Sequence, residues 1–165
     1  MECFRQNQKI EVKVKIHNPN KLIQSDANNQ LYFETYFNEN CTYVAGSLTI
    51  NGNPLSDTAT GVTIGTGDDN GLITLEGVSG FSLPANGDVE ISYVIQVPEK
   101  DKLTYITVGN KKEYDDLGIG HVLNMITDDI CLQNAFLNAL GEYAIRYCNS
   151  KGTIISNRMI PSRLK

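Results

Sequence analysis

The strongest pattern in the chain is a two-residue alternation of apolar and polar side chains. Apolar residues occupy every second position over Ile10–Ile16, and charged residues fill the positions between them. The same alternation returns over Val89–Val97, after the turn-forming run Pro84–Asp88. A period of two places the apolar side chains on one face, so both segments are predicted to be half-buried β-strands.

Further short segments have strand composition and are separated by turn residues. Asn51-Gly52 predicts a tight hairpin turn, because both residues tolerate positive φ. Ala45-Gly46 interrupts the strand that precedes it. About seven short strands with turns every 8–12 residues are typical of an antiparallel β-sandwich. The additional predicted strands are Leu31–Phe37, Tyr43–Ile50, Gly61–Ile64, Leu72–Leu75 and Leu103–Val108.

Composition excludes several classes of protein. A hydrophobic share of 41% can build a core, so wholesale disorder is excluded. The net charge of -5 and the pI near 5.0 argue against a basic nucleic-acid binder. No apolar run approaches the ~18 residues of a membrane span. The first fifteen residues hold no apolar run, so we expect no Sec-type signal peptide.

The last third of the chain changes to a helical period. Apolar residues recur at helical spacing after Asp128, and either Thr127 or Asp128 can cap the start of this helix. A shorter helix is considered over Leu117–Ile126 despite its two glycines. We therefore predict an N-terminal arm at residues 1–8, a sandwich at 9–108, a helical segment at 109–150 and an extended basic tail at 151–165.

The predicted helix is apolar nearly all round, which is more than the core of one sandwich needs. It must therefore cap an open end of the sandwich or pack against another subunit, and a large exposed apolar surface usually marks an interface. The predicted partners are copies of the same chain. The tail has four basic residues and no acid, whereas residues 1–100 have a net charge of -6. The predicted interface residues are Cys3, Leu132, Phe136, Leu140, Tyr143 and Tyr147.

The four cysteines do not form a metal-binding pattern. There is no CxxC and no cysteine–histidine spacing that suits zinc. Cys131 and Cys148 lie about 25 Å apart on one straight helix, so they cannot pair there, and we interpret them as small core residues. Cys3 lies near the N-terminus, and two interpretations stay open: an ordinary free thiol, or a crosslink to a neighbouring subunit, for which Cys41 is the predicted partner.

No catalytic, cofactor or metal site is predicted. His17 and His121 lie in unlike contexts, and no nucleophile elbow or other local signature accompanies them. Asp68-Asp69-Asn70-Gly71 lacks the alternating acidic ligands and terminal glutamate of an EF-hand, so we interpret it as a polar hairpin loop. We expect a protein that is not an enzyme.

Three blocks of sequence resemble a known bacterial repeat. They are Val14-Lys15-Ile16-His17-Asn18-Pro19, then Thr42-Tyr43-Val44-Ala45-Gly46-Ser47-Leu48-Thr49-Ile50-Asn51-Gly52, and the stretch Leu83–Val97. Together they resemble the immunoglobulin-like "conserved repeat" of bacterial surface and spore proteins, called domain of unknown function eleven, over about residues 8–100. Glu34–Glu39 departs from the Asp-Thr-Leu-Pro-like stretch usual in that family. The resemblance implies a seven-stranded sandwich that serves as a spacer or assembly module, with no catalytic residues.

These features favour a structural subunit of an extracellular assembly, such as a fibre, filament, spore appendage or surface layer. A spore-surface subunit released on lysis of the mother cell needs no signal peptide. A virion protein (a head decoration, neck or tail-fibre component) also escapes by lysis and is the alternative. A cytosolic enzyme and a soluble ligand-binding module are the remaining hypotheses.

Overall fold

A computed structural model describes residues 7–19, 21–98 and 117–126, together with two later strands. These residues are mainly β, and every strand pairing among them is antiparallel. A 3₁₀ turn at Gly67–Asp69 is the only helical element in this part of the chain. In chain order the strands are β1 Lys9–Asn18, β2 Ile23–Gln24, β3 Gln30–Tyr36, β4 Thr42–Tyr43, β5 Thr49–Ile50, β6 Asn53–Pro54, β7 Val62–Ile64, β8 Leu72–Glu76, β9 Ser82–Leu83, β10 Gly87–Gln96, β11 Gly120–Ile126, β12 Ala144–Cys148 and β13 Ile154–Arg158.

The large sheet is organised around the two strands with the clearest alternation. Its order is β13-β12-β1-β10-β5-β6, and β4 also pairs with β10. β1 and β10 are in register over their full length, from Lys9 opposite Gln96 to Asn18 opposite Gly87. The predicted burial is confirmed, because the alternating apolar side chains of both strands are inside: Ile10, Val12, Val14, Ile16, Val89, Ile91, Tyr93, Ile95 and Val97.

The small sheet has the order β11-β3-β8-β7. Its first strand, Gly120–Ile126, lies where the sequence predicted helix, and that prediction is wrong here. Seven residues of β11 pair with β3, from Gly120 opposite Tyr36 to Ile126 opposite Gln30. Short apolar runs fit helix and strand equally well, and pairing with a neighbouring strand decided the outcome. The four-stranded sheet therefore includes residues beyond the predicted sandwich boundary at 108.

Gly120 is required by a close approach between β11 and β3. A Cβ atom at this position would overlap the ring and hydroxyl of Tyr36. The glycine that weakened the helix prediction thus lets an aromatic side chain lie across the strand backbone, as glycine in a strand interior often does.

The two sheets share one hydrophobic core. Phe37, just after β3, packs on Tyr93 of β10 with ring centroids 6.0 Å apart. Phe33 of β3 meets Phe81 edge-on at 6.2 Å. Cys41 and Leu48, from the connections between strands, are fully buried in the same cluster. The inner faces of both sheets therefore bury one another.

The turns follow the predicted chemistry. Asn51 and Gly52 have φ values of 52° and 82°, as a tight hairpin turn between β5 and β6 requires. The predicted strand Tyr43–Ile50 is divided into β4 and β5 by a turn in which Gly46 has a φ of 78°. The predicted strand Leu103–Val108 lies outside the described residues.

The end of the chain forms a β-hairpin in place of helix and tail. β12 occupies the last part of the predicted helical segment, and β13 lies within the predicted tail. The helix prediction is wrong at Ala144–Cys148, and the tail, which was predicted to be extended, contains a strand at Ile154–Arg158. Ile145 and Tyr147 also fit a period of two, and Gly152 lies in the connection between the strands, so the same residues satisfy a hairpin pattern. Residues 127–143 lie outside the described part of the chain.

One row of apolar positions crosses five strands of the large sheet. Ile50 is opposite Ile91, and Ile91 is opposite Val14. On its other side Val14 is opposite Tyr147, which is opposite Ile155. The backbone register therefore aligns Tyr147 and Ile155 with Val14 along one row of the sheet.

Candidate functional site at the β1 edge

The asparagine of the first family-like block stabilises the end of β1. Asn18 is fully buried, and its side-chain amide donates to the carbonyl oxygens of Lys21 at 2.8 Å and of Leu83 and Pro84 at 3.1 Å. These contacts hold the end of β1 against β9 and the turn before β10. The hydrogen bonds of Asn18 therefore give this residue a structural role within the fold.

A tyrosine–aspartate pair closes the loop around Gly46. The hydroxyl of Tyr43 donates to Oδ1 of Asp57 at 2.7 Å, and the backbone N–H of Gly46 donates to Oδ2 at 2.9 Å. The N–H of Leu48 donates back to the Tyr43 hydroxyl at 3.2 Å. Burial, reinforced by the neighbouring carboxylate, raises the pKa of Tyr43 to about 12. This hydroxyl stays protonated at neutral pH and acts as a structural donor.

Ser47 and Asn51 fasten the same block to β10. Ser47 Oγ donates to the carbonyl of Val44 at 2.6 Å and accepts from the N–H of Val94 at 2.9 Å. Asn51 Oδ1 accepts from the N–H of Glu90 at 2.9 Å. The side chains of Ser47 and Asn51 thus bond to backbone groups at positions where the strand is interrupted.

Cys41 lies near a loop, as expected, but its thiol is not accessible. The side chain is 0% exposed, and burial raises its pKa to about 11. A thiolate is the reactive form of cysteine, so this residue is a poor partner for a crosslink with another subunit. The structure therefore places the predicted crosslink partner Cys41 inside the core. Cys3, the other half of the predicted crosslink, lies outside the described residues.

The two histidines belong to different sheets. His17 Nδ1 lies 2.6 Å from Oδ1 of Asp88 in an exposed pair at the end of β1 and β10. His121 is on the inner face of β11, stacked on Phe33 with ring centroids 6.5 Å apart. Burial lowers its pKa to about 4. The fold places one imidazole at the surface and keeps the other neutral in the core.

Sequence reasoning missed a buried polar cluster on the outer face of the small sheet. Tyr32 donates to Oε1 of Glu34 at 2.7 Å, and Glu34 is only 2% exposed. Asn124 of β11 is opposite Tyr32 of β3, and Asn124 is also buried. From the alternation of a sandwich strand, the residues on its outer face are expected to be exposed to solvent. The available signal was Glu34, a charged residue within a predicted strand that is rich in aromatic residues.

The acidic loop at Asp68–Gly71 is a structural feature. Asn70 donates to the carbonyl of Cys41 at 2.9 Å and also to that of Glu39, while Asp68 and Asp69 are exposed in the 3₁₀ turn.

No cluster of three or more histidine, cysteine or acidic side chains suited to a metal occurs in the described ranges. Within those same ranges, no helix has the length and apolar character needed to cross a membrane.

Of the remaining predicted interface residues, four lie outside the described residues and one lies in a strand. Leu132, Phe136, Leu140 and Tyr143 lie outside the described residues. Tyr147 lies in β12, where the register places it beside Val14. Of the predicted set, it is the residue that the structure connects to the sheet.

The edge of β1 that faces away from β10 is the strongest candidate for a binding surface. Within the described ranges, β12 is in register with Lys13–Lys15 of β1, and β10 is in register with all ten residues of β1. A strand edge beyond the end of such a pairing presents backbone N–H and C=O groups that can pair with another strand. We call this backbone edge of β1 the β1 edge.

Comparison with known proteins gives no relative from which a function could be transferred. No family model matches the chain, and no curated protein or solved structure is significantly similar to it.

Proposed function

We propose that the protein is a non-enzymatic structural subunit of an extracellular assembly, such as a fibre, filament or spore-surface appendage. Its unit is an immunoglobulin-like sandwich that associates with copies of itself. The observation that carries the proposal is the five-strand row from Ile50 to Ile155, in which a C-terminal hairpin extends the large sheet along the β1 edge. A sheet that gains strands at its edge suits assembly from repeated subunits.

The bonding of the family-like blocks supports a structural role. Asn18, Ser47 and the Tyr43–Asp57 pair each connect a loop to the sheet framework. Side chains used in this way make a stiff unit, which is what a spacer in a fibre needs. The resemblance to bacterial surface and spore repeats agrees with this role, and it is the reason for the extracellular setting.

The segments beyond the sheets supply the proposed contacts between subunits. The arm at residues 1–8 brings Cys3 to a neighbour, and the apolar residues Leu132, Phe136, Leu140 and Tyr143 add buried area. The basic tail, with four positive residues, complements the acidic residues 1–100 of the next copy. Contacts of this head-to-tail kind propagate without closing.

The test compares the purified full chain with two truncations. Negative-stain microscopy and light scattering should reveal filaments or large particles for the full chain. Removal of residues 127–165 should leave a folded monomer, because both sheets retain their strands up to Ile126 apart from the hairpin. Removal of residues 159–165 alone is the matched control, since it spares the hairpin, and assembly should persist.

Each alternative has its own outcome. A full chain that remains monomeric at high concentration would contradict the proposal. A discrete oligomer of fixed size would instead favour the virion component. Assembly retained after removal of 127–165 would move the interface to the sandwich itself.

A further inference from the structure

We propose that Asn86 is an isoaspartate-forming site, the position at which the folded protein first modifies its own backbone. The site is independent of the proposed assembly role. It emerges from a comparison of the three places where an asparagine precedes a glycine, which are Asn51-Gly52, Asn70-Gly71 and Asn86-Gly87. Such asparagines are the reactive ones in a chain, because a glycine has no Cβ to keep its backbone nitrogen from the preceding side chain.

The reaction needs only water. The backbone nitrogen of Gly87 attacks Cγ of Asn86, the bond from Cγ to Nδ2 breaks, and ammonia leaves with the proton of the Gly87 amide. The product is a succinimide ring. Water then opens this ring at either carbonyl carbon, which gives an aspartate or an isoaspartate, whose backbone runs through Cβ and Cγ. One water is consumed for each ammonia released, and no atom is oxidised or reduced.

The fold restrains two of the three asparagine side chains. Oδ1 of Asn51 accepts from the N–H of Glu90 at 2.9 Å. Nδ2 of Asn70 donates to the carbonyl oxygen of Cys41 at 2.9 Å and also to that of Glu39. Rotation of either side chain toward the next backbone nitrogen breaks these bonds, so each site must open before it can react.

The backbone beside Asn70 is also enclosed. Gly71 is buried, and a Cβ atom at this position would lie 2.5 Å from the carbonyl oxygen of Phe37. The N–H of Phe37 donates to the carbonyl oxygen of Gly71 at 2.9 Å. A ring closure at Asn70 therefore has to displace packed backbone as well as the two side-chain bonds.

Asn86 has the opposite surroundings. Its side chain is exposed, and no hydrogen bond within the described ranges holds its amide. It has a φ of 48° in the turn before β10, and Gly87 is the last residue of β10 in register with β1. A strand pairing opens most readily at its end, so the Gly87 nitrogen becomes accessible while the core stays intact. Asn86 thus combines an unrestrained side chain with a nucleophile at the end of a sheet.

The product alters the end of the β1–β10 pairing. Isoaspartate inserts an extra methylene group into the backbone just before Gly87, which is opposite Asn18. The Asn18 amide donates to the carbonyl oxygens of Leu83 and Pro84 in the same turn. A longer turn shifts these acceptors relative to the strand that follows. We therefore expect the modified chain to be less stable than the unmodified one.

The test measures isoaspartate at the three sites of the full chain. Folded protein and protein unfolded in guanidinium chloride are incubated in mildly alkaline water enriched in heavy oxygen, which labels only new product. Peptide mapping by mass spectrometry assigns the labelled sites, and isoaspartyl methyltransferase quantifies the isoaspartate. In the folded protein Asn86 should react on the order of tenfold faster than Asn51 or Asn70, which must first break hydrogen bonds. In the unfolded protein the three rates should be similar, because a glycine follows each asparagine.

Asn86→Gly is the matched control, since glycine accepts the positive φ at this position and has no amide to lose. Its thermal melting curve confirms that it folds. The variant should form no product at this site and keep the wild-type rates at Asn51 and Asn70. After incubation the wild type should unfold at a lower urea concentration than before, whereas Asn86→Gly treated alike should keep its midpoint.

Several outcomes contradict the proposal. Equal rates at the three sites of the folded protein, or a faster rate at Asn51 or Asn70, would overturn it. So would a folded protein that forms no isoaspartate at Asn86 under conditions in which the unfolded chain does. An unchanged urea midpoint of the modified wild type would overturn the expected loss of stability.

Discussion

The hydroxyl of Tyr93 on β10 lies 2.8 Å from Oγ1 of Thr35 on β3, inside the core between the two sheets. Thr35 in turn donates to the carbonyl oxygen of Gly120 at 3.2 Å, so Tyr93 is the donor in the first bond. This chain of hydrogen bonds connects three strands from both sheets. It satisfies two buried hydroxyls and fixes the position of β11 relative to the large sheet, which apolar packing alone would leave free to slide.

Replacement of Val14 by aspartate should unfold the domain. Val14 is 0% exposed and opposite Ile91 in the core. An unpaired carboxylate there costs several kcal/mol, a large part of the stability of a small domain. Thermal and urea melts measure the loss. Thr63→Asp, at an exposed position of β7, is the control and should melt close to the wild type. Equal melting of the two variants would contradict the register of β1.

Replacement of Asn18 by alanine should destabilise the fold by about 1–3 kcal/mol, because buried carbonyl groups lose their donor. Three carbonyls, those of Lys21, Leu83 and Pro84, share that amide. Asn18→Asp should cost more, since a carboxylate would face the same oxygens. Urea denaturation measures both variants against Asn28→Ala, an exposed control. A loss no greater than that of the control would show that water replaces the amide.

The buried imidazole of His121 should make the fold sensitive to mild acid. Burial lowers its pKa from 6.5 to about 4, so the unfolded chain takes up a proton at a higher pH than the folded one. Stability is therefore present above pH 6.5 and is lost as the pH falls toward 4, by an amount on the order of 3 kcal/mol. Urea melts between pH 7 and 4 measure the slope.

His121→Gln removes this titration and should flatten the acid limb relative to the wild type. The comparison uses the slope with pH, so a constant loss of packing against Phe33 does not affect it. Parallel slopes for the two proteins would mean that His121 does not titrate between these limits.

Cys41 should resist thiol reagents in the native protein. Its side chain is enclosed by the core, and its pKa is raised to about 11. In a variant with Cys3, Cys131 and Cys148 replaced by serine, labelling should be absent in buffer and complete in urea. Rapid labelling of the native variant would restore Cys41 as a crosslinking partner. The fully unfolded sample serves as the reference for stoichiometry.

The sequence was sufficient to predict a strand wherever one face of that strand is exposed to solvent. β1 and β10 were predicted with their inward residues, because apolar side chains occupy every second position in both strands and mostly polar or charged side chains lie between them. β11 was not, because its residues are buried on both faces and show no period that separates strand from helix. For β12, Tyr143 and Tyr147 fit a helical spacing, while Ile145 and Tyr147 fit a strand equally well.

The candidate site was less accessible to sequence reasoning than the fold. Tyr147 was predicted to lie at an interface on the evidence of a helical pattern. The helix is wrong, since Tyr147 lies in a strand of the large sheet, and the interface stays a prediction. The β1 edge is defined by which strands are neighbours, and long-range pairing leaves no local mark. Glu34 did leave one, since it carries a charge in a strand whose other residues are uncharged.

The turn at Asn51 and Gly52 has a consequence for chemical lifetime. An asparagine followed by glycine is prone to deamidation, because the next backbone nitrogen meets no side chain as it attacks the amide carbon. Here Oδ1 of Asn51 accepts from Glu90 N–H at 2.9 Å, and Asn51 N–H donates to the Glu90 carbonyl at 2.7 Å. The first bond restrains the side chain and the second restrains the backbone, so the same contacts that set the hairpin also slow deamidation at this site.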